Sequence, residues 1–158
     1  YRTALIGKWH LGYLQKHHPM NFGFQKFVGF KSGNVDYQSH RNRYGDVDWW
    51  DGLEMKNMPG YTTTLLTTLS EDYIKENKDK PFCLYIAHAA PHSPMQGPNE
   101  KAIRTEATLE GDKNSDRPNK EIYKDMVEEL DWSVGRILET LKKYKLDKNT
   151  FVVFFGDK

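Results

Sequence analysis

A chain of 158 residues with 37% hydrophobic and 28% charged side chains holds enough apolar material for a core, which excludes a disordered polyelectrolyte. Its 23 basic and 22 acidic residues leave a formal net charge of +1, too weak a field to call for nucleic acid or an anionic membrane. No apolar run approaches the roughly 20 residues that cross a bilayer, no signal-peptide pattern opens the sequence, and a single cysteine, Cys83, excludes an internal disulfide.

Residues 3–6 are small or apolar and run into Gly7, which predicts a short buried strand followed by a loop. Residues 8–40 scatter glycines and aromatics without a sustained period and read as one long loop over the sheet edge. Residues 47–50 and 53–56 flank Asp51-Gly52, a dipeptide suited to a two-residue hairpin turn. Thr62 or Thr63 then caps a helix with Leu65, Leu66, Leu69, Tyr73 and Ile74 on one face, ending near residues 77–80.

Pro81 opens the continuous apolar run 82–87, the pattern of a central parallel strand covered on both faces. Residues 98–118 are charged and poor in apolar side chains, and predict a mobile, solvated excursion. Across residues 119–144, Ile122, Met126, Leu130, Val134, Ile137 and Leu141 step by three or four, so one amphipathic helix is expected. Met126, Leu130, Val134 and Ile137 would pack on the sheet, with Gly135 allowing close approach. Residues 151–155 read as a second buried strand, and a loop begins at residues 156–158.

Strands alternating with helices predict an α/β layered fold with a largely parallel sheet. Ligands in such sheets sit beyond the carboxyl ends of the strands, which singles out residues 7–12, 88–94 and 156–158 as segments that should meet at one edge. In the first, Lys8 and His10 place a point-charge donor and an imidazole two residues apart, between glycines that let an oxyanion approach the backbone. The second is a loop holding His88 and His92, whose prolines exclude a helical His-x-x-x-His metal site. His88 reads as bonded to nearby backbone, and His17, His18 and His40 as ordinary loop residues. Asp157 stands where a carboxylate can ligate calcium or magnesium. Of Trp49 and Trp50, one can pave a sugar-binding surface while the other packs inward. Cys83 lies within an apolar strand without a base beside it and reads as a buried hydrophobe.

The opening segment, YRTALIGKWHLG over residues 1–12, resembles the second signature of type I sulfatases of the arylsulfatase and N-acetylgalactosamine-6-sulfatase kind. Residues 21–24 (NFGF), 32–37 (SGNVDY), 90–94 (APHSP) and 149–157 (NTFVVFFGD) resemble later family segments in the same order, so the resemblance covers essentially the whole chain. It implies an alkaline-phosphatase-like α/β sandwich, partly covered here, with residues 1–158 forming part of the N-terminal catalytic domain and truncated at both ends relative to the family. It also implies a sulfuric ester hydrolase acting on a sulfated sugar or aryl sulfate, with one calcium ion and a formylglycine nucleophile made from the cysteine of a C-x-P-S-R motif.

That motif is absent, so the nucleophile is expected upstream and the isolated chain is expected to be inactive. By the resemblance, Lys8 bridges sulfate and formylglycine, His10 assists as a base, His92 contacts the ester near its leaving oxygen, and Asp157 binds calcium. The family's Asp-Asn-Gly departs here to Asp157-Lys158, and a charged lysine cannot ligate calcium. The expected partner is a sulfated small molecule or glycan, with neither nucleic acid nor membrane. Family members are periplasmic, secreted or lysosomal, and the chain names neither its compartment nor its oligomeric state. Two further readings stand beside this one: a phosphatase or phosphonate hydrolase of the same superfamily, and a non-catalytic domain that binds sulfated glycans.

Overall fold

Five strands, β1 (Arg2–Lys8), β2 (Lys26–Phe30), β3 (Trp50–Asp51), β4 (Glu54–Met55) and β5 (Phe82–Ala87), form one open sheet in the order β4-β3-β2-β1-β5. The structure, a computed structural model, describes residues 1–105 and 115–156. β1 pairs in parallel with β2 on one side and β5 on the other, while β2–β3 and β3–β4 are antiparallel. The hairpin is the expected one, with its turn shifted by one residue to Gly52-Leu53.

β2 corrects the expectation of a continuous loop over residues 8–40. Its run KFVGF is broken by Gly29, which hides the strand pattern, yet the glycine is what lets the strand lie where it does. A Cβ on Gly29 would stand 2.1 Å from the carbonyl oxygen of Gly7, and one on Gly7 2.0 Å from that of Ala87. The carboxyl ends of β2, β1 and β5 are thus drawn together through two glycines that no larger residue could replace.

Period-two alternation sends β1 side chains to opposite faces. Ala4 and Ile6 join Phe30, Trp49, Tyr61, Leu66 and Tyr73 in a buried cluster beneath α1 (Thr62–Asn77). Truncating Leu66 to alanine there costs about 2–5 kcal/mol. Tyr61, rather than Thr62 or Thr63, is the N-cap residue of α1, and both threonines are buried within the helix. On the other face Leu5 and Phe27 are equally inaccessible, and the His18 ring stands edge-on to Phe27 at 5.2 Å.

Three expectations about packing fail, wholly or in part, for physical reasons. β5 is parallel but lies at the sheet edge with only one face covered, so Phe82 and Leu84 reach the core while Tyr85 and Cys83 are exposed. The expected buried Cys83 is therefore corrected to an exposed one. α2 (Asn119–Lys143) forms over the expected span, and Met126 and Leu130 join the core that holds Ala4 and Ile6 as expected, but the helix packs chiefly on α1 rather than the sheet. Beyond Leu130 the seam with α1 turns polar: Ser133 meets Thr67, and Glu71 accepts from both Arg136 and Thr140. Val134 and Ile137 are half-buried, and Gly135 is exposed with no neighbour within 4 Å of a would-be Cβ. Residues 151–156 form no strand, and Phe151 is 92% exposed. An apolar run becomes a strand only where a neighbouring backbone offers a ladder, and no described strand pairs with this one.

The expected excursion at residues 98–118 is tied down at its start. Asp36, fully buried, accepts from the amides of Ile103 and Arg104 at 2.7 and 2.9 Å. Residues 106–114 of that stretch lie outside the described residues.

Candidate functional site

Register places the site. Gly7 on β1 stands opposite Ala87 on β5, and Lys8 stands opposite Phe30 on β2, so residues 8–12, 31–37 and 88–94 leave three adjoining parallel strands at the same edge. The β1–β2 ladder continues beyond the strands: the Trp9 amide donates to Phe30 O at 2.9 Å and the His10 amide to Lys31 O at 3.2 Å. Trp9 turns away from the edge, its indole N–H donating to His17 O at 2.7 Å and its ring lying against Phe22 and Phe24. That tether lets the two side chains flanking Trp9 in sequence stay at the edge, with Lys8 half-buried and His10 exposed.

His10 adopts φ 55°, the left-handed region that costs a residue with a Cβ on the order of 1 kcal/mol. Its ring lies against Gly33, where a Cβ would fall 2.5 Å from Nε2.

His92 is exposed on its loop, between the cis peptide bonds Ala90–Pro91 and Ser93–Pro94. Its Nδ1 lies 2.8 Å from Ser93 O, an acceptor, so Nδ1 carries the proton and Nε2 is the outward nitrogen. The loop is joined to the segment after β2 by Tyr37, whose hydroxyl donates to His92 O at 2.9 Å and whose amide donates to Gln96 Oε1 at 2.6 Å. Tyr37 is buried and stacked on Tyr61, and burial raises its hydroxyl well above the ordinary tyrosine pKa.

His88 has a structural environment. Thr67 Oγ1 donates to Thr63 O, so Ser133 Oγ donates to Thr67 and accepts from His88 Nε2 at 3.3 Å. Nδ1 is buried without a hydrogen-bond partner, and burial lowers the imidazole pKa from 6.5 to about 4. His40 is buried against Trp49, ring centroids 4.4 Å apart, and burial likewise lowers it to about 4. His18 Nε2 donates to Gly52 O at 3.0 Å while Nδ1 accepts from the Met20 amide. Trp49 is the inward tryptophan. Trp50 is half-buried, with the Lys31 ammonium 3.3 Å over its ring, so that face is already covered.

Of four residues that shape this edge, Gly33, Asp36 and Tyr37 fall within the SGNVDY segment that carries the family resemblance but has no residue roles attached to it, and Asp48 carries no local pattern that marks it in sequence. Burial alone would raise the pKa of Asp36, yet the amides of Ser39, Arg104, Ile103 and Gln38 together hold it below the ordinary carboxylate value. Asp157 lies outside the described residues, and among the described residues no group of three His, Cys, Asp or Glu side chains could hold a metal ion.

Comparison with known proteins bears on the fold and the family. The crystal structure of Ps i-CgsB matches with TM-score 0.71 at 25% identity, over 92% of this chain and 34% of that one. PsFucS1 sulfatase from Pseudoalteromonas sp. shares the fold at TM-score 0.57 and 19% identity, over 92% of this chain and 33% of its own. The expected alkaline-phosphatase-like α/β architecture is the one found. The chain is 31% identical to N-acetylgalactosamine-6-sulfatase of Mus musculus and 26% identical to an arylsulfatase of Klebsiella aerogenes, in each case over 99% of its length. It spans 30% and 44% of those relatives. A model of the Sulfatase family matches residues 1–158 in full, and the chain belongs to the sulfatase family.

Proposed function

We propose that these residues form part of the catalytic domain of a sulfuric ester hydrolase, contributing side chains that bind the sulfate group and move protons during ester cleavage. The observation that carries this reading is the emergence of Lys8 and His10 from the central strand β1, between β2 and β5, beside the loop that presents His92. An ammonium, an exposed imidazole and a second imidazole with its Nε2 outward are suited to a tetrahedral oxyanion and its leaving oxygen. Lys8 neutralises sulfate charge, His10 takes or returns a proton, and His92 meets the leaving oxygen.

The nucleophile belongs to sequence outside residues 1–158, because no C-x-P-S-R motif occurs here. Formylglycine there would supply the attacking oxygen. Calcium is the proposed metal, with Asp157 as one ligand; the described residues do not complete its shell, and the roles of Lys8, His10 and His92 do not depend on it. The substrate is a sulfated sugar or an aryl sulfate. The structural neighbour Ps i-CgsB has been crystallised with k-i-k-neocarrahexaose, an oligosaccharide, which supports a glycan.

The test is made on the complete polypeptide carrying residues 1–158, with paired aryl sulfate and aryl phosphate esters. Lys8→Ala and His10→Ala should each lower sulfate-ester kcat on the order of 10² or more with thermal stability retained. Unchanged sulfate turnover in both variants rejects the assignment. Faster phosphate than sulfate turnover by the unsubstituted protein gives the site to the phosphatase reading.

A further inference from the structure

We propose that the turn at residues 31–33, locked by Asp48, is a seat that sets the His10 imidazole, which makes Gly33 and Asp48 positioning residues of the site. The inference rests on the role proposed above for His10. Asp48 is buried, and its carboxylate accepts three hydrogen bonds: from the Lys31 amide at 3.1 Å, the Ser32 amide at 2.8 Å and the Trp50 indole N–H at 2.7 Å. Two consecutive amides are thus aimed at one carboxylate, which fixes the peptide planes of the turn. The carbonyl oxygen of Lys31 accepts from the His10 amide at 3.2 Å. Ser32 Oγ closes the turn on its far side by donating to Asn34 O at 2.8 Å.

The seat acts on both the backbone and the ring of His10. Its φ of 55° is one that a histidine leaves unless its surroundings hold it, and the Lys31 carbonyl provides one such hold. The ring occupies the volume a side chain at position 33 would fill: a Cβ there would lie 2.5 Å from Nε2, 2.6 Å from Cε1 and 3.1 Å from Cδ2. Gly33 is not in the left-handed region, so alanine meets no backbone penalty there. The three heavy atoms nearest to a methyl at position 33 all belong to the imidazole, so the methyl acts first on the ring. Glycine is therefore required at Gly33 for the ring, not for the turn.

The experiment compares Gly33→Ala, Asp48→Asn, His10→Ala and the double variant Gly33→Ala/His10→Ala in the complete polypeptide. It reads kcat and KM for an aryl sulfate, and the rate at which diethyl pyrocarbonate modifies His10 and His92, resolved by peptide mass spectrometry. A misplacement of about 1 Å is worth on the order of 10² in rate, so Gly33→Ala should lower kcat at least about tenfold with a smaller change in KM. It should alter the modification rate of His10 and leave that of His92 unchanged. Asp48→Asn, which loses an acceptor for one amide, should move both readouts in the same direction by less, and it carries the test should Gly33→Ala not fold. The double variant should be no slower than His10→Ala.

The proposal is overturned by wild-type kcat and His10 reactivity in both Gly33→Ala and Asp48→Asn, by a fall in kcat without a change at His10, or by additive losses in the double variant. Wild-type activity in His10→Ala would instead reject the functional reading, and the modification rates alone would then decide whether the seat exists.

Discussion

The hydroxyl of Tyr37 donates to the carbonyl oxygen of His92 at 2.9 Å, and through this bond the loop after β5 is fastened to the segment after β2. Both ends are otherwise irregular backbone, so the bond supplies a link that no β-ladder provides. Tyr37→Phe keeps the stacking on Tyr61 and removes only the donor. The expected loss is about 1 kcal/mol of global stability by urea denaturation. Amide hydrogen exchange at residues 88–94 should rise by more than the global change explains. Unaltered exchange there would show that the bond does not hold the loop.

Asp36 makes a prediction about acid. Its carboxylate is fully buried, accepts from four backbone amides and from Gln96 Nε2, and has its pKa lowered below 3.8. A group with a depressed folded pKa contributes stability that is present above the unfolded value and lost as pH falls through the folded one. Stability measured by denaturant titration should therefore decline below about pH 4. Asp36→Asn should remove part of that decline while lowering stability at pH 7 by about 3 kcal/mol, since an amide cannot accept from all five donors. A variant as acid-sensitive as the parent would rule out Asp36 as a contributor.

What the sequence could disclose follows from how local each signal is. α1 and α2 announce themselves through side chains three and four residues apart, and β1 and β5 through uninterrupted apolar runs, because the neighbours that matter are close in the chain. Lys8, His10 and His92 are legible for a similar reason, since chemistry-bearing residues immediately follow those strands. β2 is not, because the glycine that makes Val28-Gly29-Phe30 look like a loop is needed only by Gly7, 22 positions away in the β1–β2 register. Gly33, Asp36, Tyr37 and Asp48 act on residues far along the chain and leave no periodic trace. The expectations for Cys83 and for residues 151–155 failed on coverage: an apolar run states that a strand can be buried, not that something lies beside it.

The approach of β1 to β5 gives a sharp steric prediction. Gly7 has φ 122°, and a Cβ there would stand 2.0 Å from Ala87 O and 3.2 Å from Ala87 N, all backbone that cannot rotate away. Gly7→Ala should destabilise by more than about 3 kcal/mol, combining backbone strain with overpacking. Gly135→Ala, on the exposed face of α2, should instead stabilise by about 0.5–1 kcal/mol. Thermal melts of the two variants side by side check both signs, and a Gly7→Ala protein that melts with the parent would refute the packing of these strand ends.

The last prediction joins His40 and His88 to pH. Burial lowers both imidazoles from 6.5 to about 4, so between these values the unfolded chain binds protons that the folded chain refuses. Stability must then rise with pH across that window and level off above it, where both states are neutral. The two sites do so for different reasons: His40 lies tilted against the Trp49 ring, whereas His88 Nε2–H is committed to Ser133 and its Nδ1 is buried without a hydrogen-bond partner. Each histidine can withhold up to roughly 3 kcal/mol at the acid end of the window, the free energy of a shift of this size. Denaturation free energies measured from pH 7.5 to pH 4.5 should fall steeply below pH 6.5 in the parent. His88→Gln keeps a donor for Ser133 but cannot titrate, so its profile should be shallower by one proton and its stability relative to the parent should improve as pH falls. An identical slope in parent and His88→Gln would mean that His88 accepts its proton in the folded state, and the Thr67–Ser133–His88 arrangement would then not be the neutral relay its geometry describes.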